Sequence, residues 1–247
     1  MTQPLSDPMP QIVTAGVDGM LVRFADRLSE PANRAALAFR AAVESLGWDG
    51  VEETSSTLVS TFLRFDPLHL SHDDLRAQLA TLLKSQDWYA ADLPQGRRLW
   101  RIPAVFGTDM APQLEQAAQA AGMTESEAIA SLTRARVRVQ SIGFAPGQPY
   151  LGELPEAWDI SRQSTITPRV PAGAVAVAIR QFVVFSRPSP TGWLHVAQIS
   201  AQLFRPEADT PFLLRPGDDV QFIATEPGAL EQMRSDPQGG ATSEAIE

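Results

Sequence analysis

Half of the chain's 20 prolines fall between Pro146 and Pro216. Proline fixes φ and supplies no N–H, so it interrupts helices and is confined to the edges of sheets. A segment punctuated this often builds short strands joined by turns, the pattern of a sandwich or a barrel. Four strand-like runs stand out, at 174–179, 182–185, 193–198 and 220–224. In the first, Val175, Val177 and Ile179 alternate with Ala174, Ala176 and Ala178. One face of that strand therefore carries only small side chains, as a closely packed barrel uses them. Arg215-Pro216-Gly217-Asp218 has proline and glycine where a type II turn needs them.

The beginning of the chain alternates strand and helix signals instead. Apolar runs at 11–15 and 20–24 flank a hairpin turn, Gly16-Val17-Asp18-Gly19. The spacing predicts a helix over 31–46 with Ala36, Phe39, Val43 and Leu46 as its buried stripe. Strands follow at 51–54 and 58–65, the second stopped by Pro67. Ser71 is placed to cap a further helix, with Asp74 at the reciprocal position and Leu75, Leu79, Leu82 and Leu83 as its apolar stripe. The order β-β-α-β-β-α predicts a compact α+β domain over 1–85, and 86–96, which mixes Asp, Pro and Gly, reads as a linker. A strand at 99–106, helices at 111–121 and 125–133 and a strand at 137–142 lead into the proline-rich part. Thr124 and Glu127 form a capping box at the second of these helices. The β-barrel domain is thus placed at 97–227, with a polar tail at 228–247 that is expected to be disordered at its end.

Composition narrows the chemistry. A net charge of −9 over 247 residues argues against nucleic acid as a partner, which requires a basic surface. The absence of cysteine removes disulfides, thiolate nucleophiles and Cys-ligated metals together. It fits a cytoplasmic protein. The first ten residues lack the features of a signal peptide, and no apolar run is long enough to span a membrane. No P-loop, nucleophile elbow or biotin-attachment sequence occurs, so no covalent biotin is expected, and any ATP site is of another type or lies on a partner. His69 and His72 with Asp73 and Asp74 suggest a metal site at first sight, but helix capping accounts for the acids and no metal is predicted.

Four segments occur in order: GFAPGQPYLGELP (143–155), PRVPAGAVAVA (168–178), SPTGW (189–193) and FLLRPGDDVQF (212–222). Together with GWDGVEETSSTLVSTFLRFDP (47–67) and RIPAVFGTDMAPQLEQAAQAAGMTESEAI (101–129), they resemble the family of the B-type subunit of 5-oxoprolinase. The family is also called allophanate hydrolase subunit 1, or the Kip-type inhibitor of a sporulation histidine kinase. The resemblance covers residues 11–227. It implies a ferredoxin-like N-terminal domain followed by a cyclophilin-like β-barrel, within the α+β class. It also implies a homologous partner, the C-type subunit, and a third, A-type subunit, in a complex that opens 5-oxoproline to glutamate at the expense of ATP. A single chain is then not expected to be active alone. Related paired domains form the carboxyltransferase portion of urea carboxylase, where biotin carries the carboxyl group. The alternatives are a regulatory binding protein acting on a histidine kinase, or a carboxyltransferase-like domain of urea or allophanate metabolism. The sequence departs from the family pattern at Leu132, where a His is common, at Gln148, where Phe is usual, and at 179–186, where IRQFVVFS replaces a glycine-containing segment. It departs again at Gln198 and Ile199, where VAQIS stands for IGRTP.

The candidate site residues follow from residue chemistry and from this resemblance. Pro146 and Gly147 would bring backbone close to a ligand, with Gln148 offering an amide and Tyr150 a hydroxyl and a flat face. The competing reading puts Tyr150 in the core. Arg169, held between Pro168 and Pro171, suits a carboxylate, or else a structural ion pair. Trp193 either caps a pocket or is a core aromatic. His195, two residues further along the same strand face, is the candidate general acid or base. Gly147, Tyr150, Arg169 and Trp193 are expected to converge at one mouth of the barrel.

Overall fold

The structure, a computed structural model, describes residues 9–246. The first eight residues, on which most of the signal-peptide reading falls, and residue 247 lie outside the described residues. The chain divides into two units, Met1–Gln95 and Gly96–Glu247.

In the first unit the strands β1 (Gln11–Thr14), β2 (Gly19–Arg23), β3 (Val51–Ser56) and β4 (Ser60–Phe65) form an antiparallel sheet in the order β1-β2-β4-β3. Helix α1 (Glu30–Leu46) joins β2 to β3 with β4 inserted between them, which is the split β-α-β unit of ferredoxin-like folds. Ser29 caps α1 by accepting from the Ala32 N–H, and Gly47 ends it at φ 56°, a conformation open to glycine. Ala36, Phe39 and Val43 are buried as the spacing predicts, but Leu46, the last residue of the helix, is 53% exposed. Helix α2 (His72–Leu83) is capped by Ser71, whose hydroxyl accepts from the Asp74 N–H at 3.1 Å and donates to its carboxylate at 2.6 Å. Leu75 and Leu79 are buried, and Leu82 and Leu83 partly so. Within 86–96, Trp88 is buried edge-on against Phe39 at 5.0 Å, and the Tyr89 hydroxyl donates to the Phe24 carbonyl at 2.7 Å. Two aromatic side chains thus carry the core of this unit into a segment whose composition resembles a linker.

The second unit holds β5 (Arg98–Phe106), α3 (Leu114–Ala120), α4 (Glu125–Arg134), β6 (Val137–Ile142), β7 (Pro149–Gly152), β8 (Thr167–Val170), β9 (Ala174–Ala178), β10 (Gln181–Val184), β11 (Ser189–Thr191), β12 (Leu194–Gln198), β13 (Asp219–Ala224), α5 (Pro227–Gln232) and β14 (Thr242–Ala245). Seven of these strands close a barrel in the order β12-β9-β10-β7-β6-β13-β5, with β5 returning to β12. The contact of β13 with β5 is parallel and the others are antiparallel. The barrel core gathers Val175, Val177, Phe182, Val184, Leu194 and Phe222, with the Phe182 and Phe222 rings edge to face at 5.2 Å.

Three expectations are corrected here, and the side taken by the alanine face is settled. Helix α3 begins at Leu114 rather than 111, and the Gln113 N–H just before it donates to the His195 carbonyl at 3.1 Å. Strand β9 stops at Ala178, because Ile179 and Arg180 take φ values of 44° and 61° to form a two-residue hairpin turn. The alanine face of β9 does not line the barrel core. Ala174, Ala176 and Ala178 pack with Val170, Val183, Phe185 and Trp193 in a separate cluster on the opposite side of the strand. Small side chains there let the two-stranded ribbon β8–β11 lie close. The polar tail is ordered through Ala245, because Thr242–Ala245 pairs with Arg98–Arg101 of β5, and backbone ladder bonds need no apolar sequence.

The turn at 215–218 forms as its residues dictate. The Asp218 N–H donates to the Arg215 carbonyl at 3.0 Å and Gly217 sits at φ 98°. The buried Asp218 carboxylate accepts from the Arg98 N–H at 2.9 Å, the Arg215 N–H at 3.0 Å and the Trp100 indole at 3.2 Å. Burial pushes its pKa up, and these donors pull it back. Replacing Asp218 by alanine orphans three donors around a charged acceptor. The expected loss is about 2–4 kcal/mol of stability, read from the shift of the urea midpoint.

Candidate functional site

Strand β12 carries the centre of the site. It pairs with β9 as His195 with Ala176, then Ala197 with Val175 and Gln198 with Ala174, so a bulge lies between His195 and Ala197. In a regular strand, residues three apart point to opposite faces. The extra residue of the bulge turns His195 and Gln198 to the same face, the one that β9 covers with alanine. Both side chains line a cleft of about 1060 Å³. Its other walls include Thr167 and Arg169 of β8, Gly173, Ser186, and the segment 109–113.

A chain of amides fixes these walls. Gln113 accepts the His195 N–H on its side-chain oxygen at 3.0 Å and donates its own backbone N–H to the His195 carbonyl. Its side-chain nitrogen donates to Gln163 at 2.9 Å, and Gln163 in turn donates to the Thr167 hydroxyl at 3.0 Å and to the Trp193 carbonyl at 3.1 Å. The strand bearing His195 and the strand bearing Arg169 are thereby tied through two glutamines.

Inside the cleft several polar atoms have no protein partner. His195 is 4% exposed and its Nε2 makes no hydrogen bond. The Gln198 side-chain nitrogen donates to the carbonyls of Ala172 at 2.8 Å and Ile199 at 2.9 Å, which leaves its buried oxygen unpartnered. The Ser186 hydroxyl is likewise buried and unpartnered. Gly173, at φ 78°, makes this packing feasible, because a Cβ there would lie 2.3 Å from the Ile199 carbonyl oxygen and 2.6 Å from the Gln198 nitrogen. Arg169 is exposed and forms no hydrogen bond or ion pair with any described residue, so the structural ion pair weighed for it is not seen. Arg234, on the same cleft, is engaged by Glu231 at 2.7 Å, and Asp109 is the acidic group of the wall.

Of the expected convergence of Gly147, Tyr150, Arg169 and Trp193, Arg169 alone lines the cleft, and Pro146 and Gln148 do not line it either. Gly147, at φ 72°, is packed against the Leu203 carbonyl and Phe204, which are cleft residues. Pro146 is exposed, and Gln148 is buried with its side-chain oxygen unpartnered. Tyr150 lies on β7 and meets Trp193 edge to face at 6.4 Å, within the cluster over the alanine face. Ile199 lines the cleft, whereas Leu132 is in the barrel core. His69 is paired with Asp49 at 2.8 Å and His72 packs on the Phe65 ring at 4.8 Å. Among the described residues no group of three or more His, Cys, Asp or Glu is arranged to hold a metal. Sequence reasoning passed over Gln113, Gln163, Gly173 and Ser186. Gln113 and Gly173 lie within quoted motifs and Ser186 ends the departing segment 179–186, but nothing in those stretches marks them as site residues, and Gln163 lies in none of them.

Burial holds the His195 imidazole below its ordinary value, with the Ala197 backbone and the nearby Gln198 side chain acting in the opposite sense. The unfolded chain takes up a proton here below about pH 6.5, whereas the folded chain resists it until lower pH. Acidification through that range therefore costs stability. His195→Gln should remove this contribution and flatten the stability profile between roughly pH 5 and 7, as read by urea titration at each pH.

The family described as carboxyltransferase domain, subdomain C and D, matches residues 10–214. The B-type 5-oxoprolinase subunit of Bacillus subtilis (strain 168) is 30% identical over 227 residues, covering 86% of this chain and 92% of that protein. The crystal structure of TTHA0988 superposes with a TM-score of 0.71 at 34% identity, over 84% of this chain but only 40% of that one. The urea carboxylase of Kluyveromyces lactis superposes with a TM-score of 0.70 over 95% of this chain and 24% of its own. At 16% identity, that last likeness is one of fold.

Proposed function

The chain belongs to the carboxyltransferase-domain family, subdomains C and D, and we propose that it is the B-type subunit of a cytoplasmic complex that opens 5-oxoproline to glutamate at the expense of ATP. The observation that carries this reading is the cleft's division of labour. One unpaired guanidinium, Arg169, stands on a wall whose inner polar groups, His195, Gln198 and Ser186, are neutral and hold atoms without partners. A small molecule with one carboxylate and one amide matches that arrangement. Arg169 takes the carboxylate, and the neutral groups face the amide. His195 is the candidate for moving a proton, since an uncharged imidazole can accept one. Tyr150 and Trp193 meet edge to face in the cluster over the alanine face, and Gly147, in the same loop as Pro146 and Gln148, packs against Leu203 and Phe204 of the cleft. Water adds across the ring C–N bond, the nitrogen leaves as the amino group of glutamate, and ATP hydrolysis drives the opening. The chain has no P-loop, so ATP is assigned to the assembled complex with a homologous C-type subunit and a third, A-type subunit.

Arg169→Ala should weaken 5-oxoproline binding by about tenfold to a hundredfold, the worth of a hydrogen bond to a charged group. It should leave the melting temperature unchanged, because no described residue pairs with the guanidinium. Calorimetric titration beside a melting curve reads both. A variant that melts early and binds as before would make Arg169 structural. Failure of the wild type to bind 5-oxoproline, alone or with its co-purifying subunits, would overturn the substrate. Capture of a histidine kinase, with no homologous subunit, would move the chain to regulation.

A further inference from the structure

The fixed orientation of Gln198 sets a condition on the ligand that charge alone does not. An amide side chain usually offers a donor or an acceptor by rotating through 180°. Gln198 has no such freedom. Its nitrogen sits between the carbonyls of Ala172 and Ile199, at 2.8 and 2.9 Å, and rotation would set its oxygen against two other acceptors. The free end is therefore an oxygen. It is buried, it makes no hydrogen bond in the structure although the His195 imidazole lies within reach of the side chain, and the side chain lines the cleft on the face shared with His195. The backbone beneath it is equally constrained. Gly173 has no Cβ to occupy the place of the Gln198 nitrogen, where one would lie 2.6 Å away, so the glycine leaves the amide its room. A buried acceptor that cannot turn away is satisfied by a protonated His195 or by a donor brought to it, and while His195 is neutral a ligand lacking that donor leaves it orphaned.

We infer that Gln198 is a specificity-determining residue of the cleft, accepting a hydrogen bond from a neutral N–H of the ligand and rejecting isosteres without one. The inference rests on the substrate reading above and adds to it the atom that is read, the ring N–H of a lactam. Arg169 supplies affinity for any small carboxylate of the right size. Gln198 separates the lactam from the ketone of the same shape.

The test compares two ligands that differ at one ring atom, 5-oxoproline and 3-oxocyclopentane-1-carboxylate, in which CH2 replaces N–H. Both are titrated calorimetrically into the full chain together with the subunits that co-purify with it. The wild type should prefer 5-oxoproline by about tenfold or more, the usual consequence of leaving a buried acceptor unpaired. Gln198→Met, which keeps the length and removes the acceptor, should bring the two affinities to within about threefold of each other by weakening 5-oxoproline alone. Equal binding of the two ligands by the wild type would overturn the inference and leave the substrate reading standing. A water held permanently on the Gln198 oxygen, or a proton donated to it by His195, would give that result. A preference retained in a folded Gln198→Met protein would overturn it as well. If that variant does not fold, the wild-type ratio decides by itself. Binding of neither ligand would overturn the substrate reading, and this assignment with it.

Discussion

The barrel closes on very little. Strands β5 and β12 share two residue pairs, Ala197 with Phe106 and Gln198 with Val105, and the ladder then runs out. Beyond it, Gly107 donates to the Val196 carbonyl, and Gln113 takes the place of a strand by satisfying both backbone groups of His195. An unpaired backbone group buried at this seam would cost about as much as a lost hydrogen bond. The requirement to satisfy His195 therefore fixes where α3 starts, holds 109–113 against the cleft, and orients the glutamine chain that reaches β8. The cleft is a by-product of how the barrel is sealed.

The same demand for hydrogen-bond partners separates this cleft from an ordinary dent in the surface. Leaving one buried polar atom unsatisfied costs about 1–3 kcal/mol, against a typical total stability of roughly 5–15 kcal/mol. Here a histidine nitrogen, a glutamine oxygen and a serine hydroxyl are left so in one cavity. The chain bears net negative charge, yet among the described residues the unpaired cation of the wall is the guanidinium of Arg169. Three such atoms on residues that line one cavity give a bound molecule groups to pair with.

Much of the fold is legible in the residues because local chemistry and tertiary packing agree there. Ser71 and Asp74 cap α2, Thr124 and Glu127 cap α4, and the turn at Gly217 forms, since each depends on neighbours a few residues away. Agreement fails where a distant partner intervenes. Trp88 belongs to a core because Phe39 is there to meet it, and 242–245 is a strand because β5 offers it an edge. The alanine face of β9 announces close packing, but not on which side. The sequence cannot say whether small residues face the barrel core or a ribbon laid over it.

For the site, the residues by themselves determined that Arg169 is held by flanking prolines, that His195 is the sole histidine of its unit, and that both belong to a proline-punctuated β structure. Their meeting in one cleft was decided by tertiary structure. By strand alternation His195 and Gln198 belong on opposite faces, and only the bulge in β12 puts them on one. The bulge lies immediately before Ala197 and Gln198, the two residues that pair with β9 on one side and with β5 at the closing seam on the other. Both pairings join residues far apart in the chain, so no local stretch of sequence contains them.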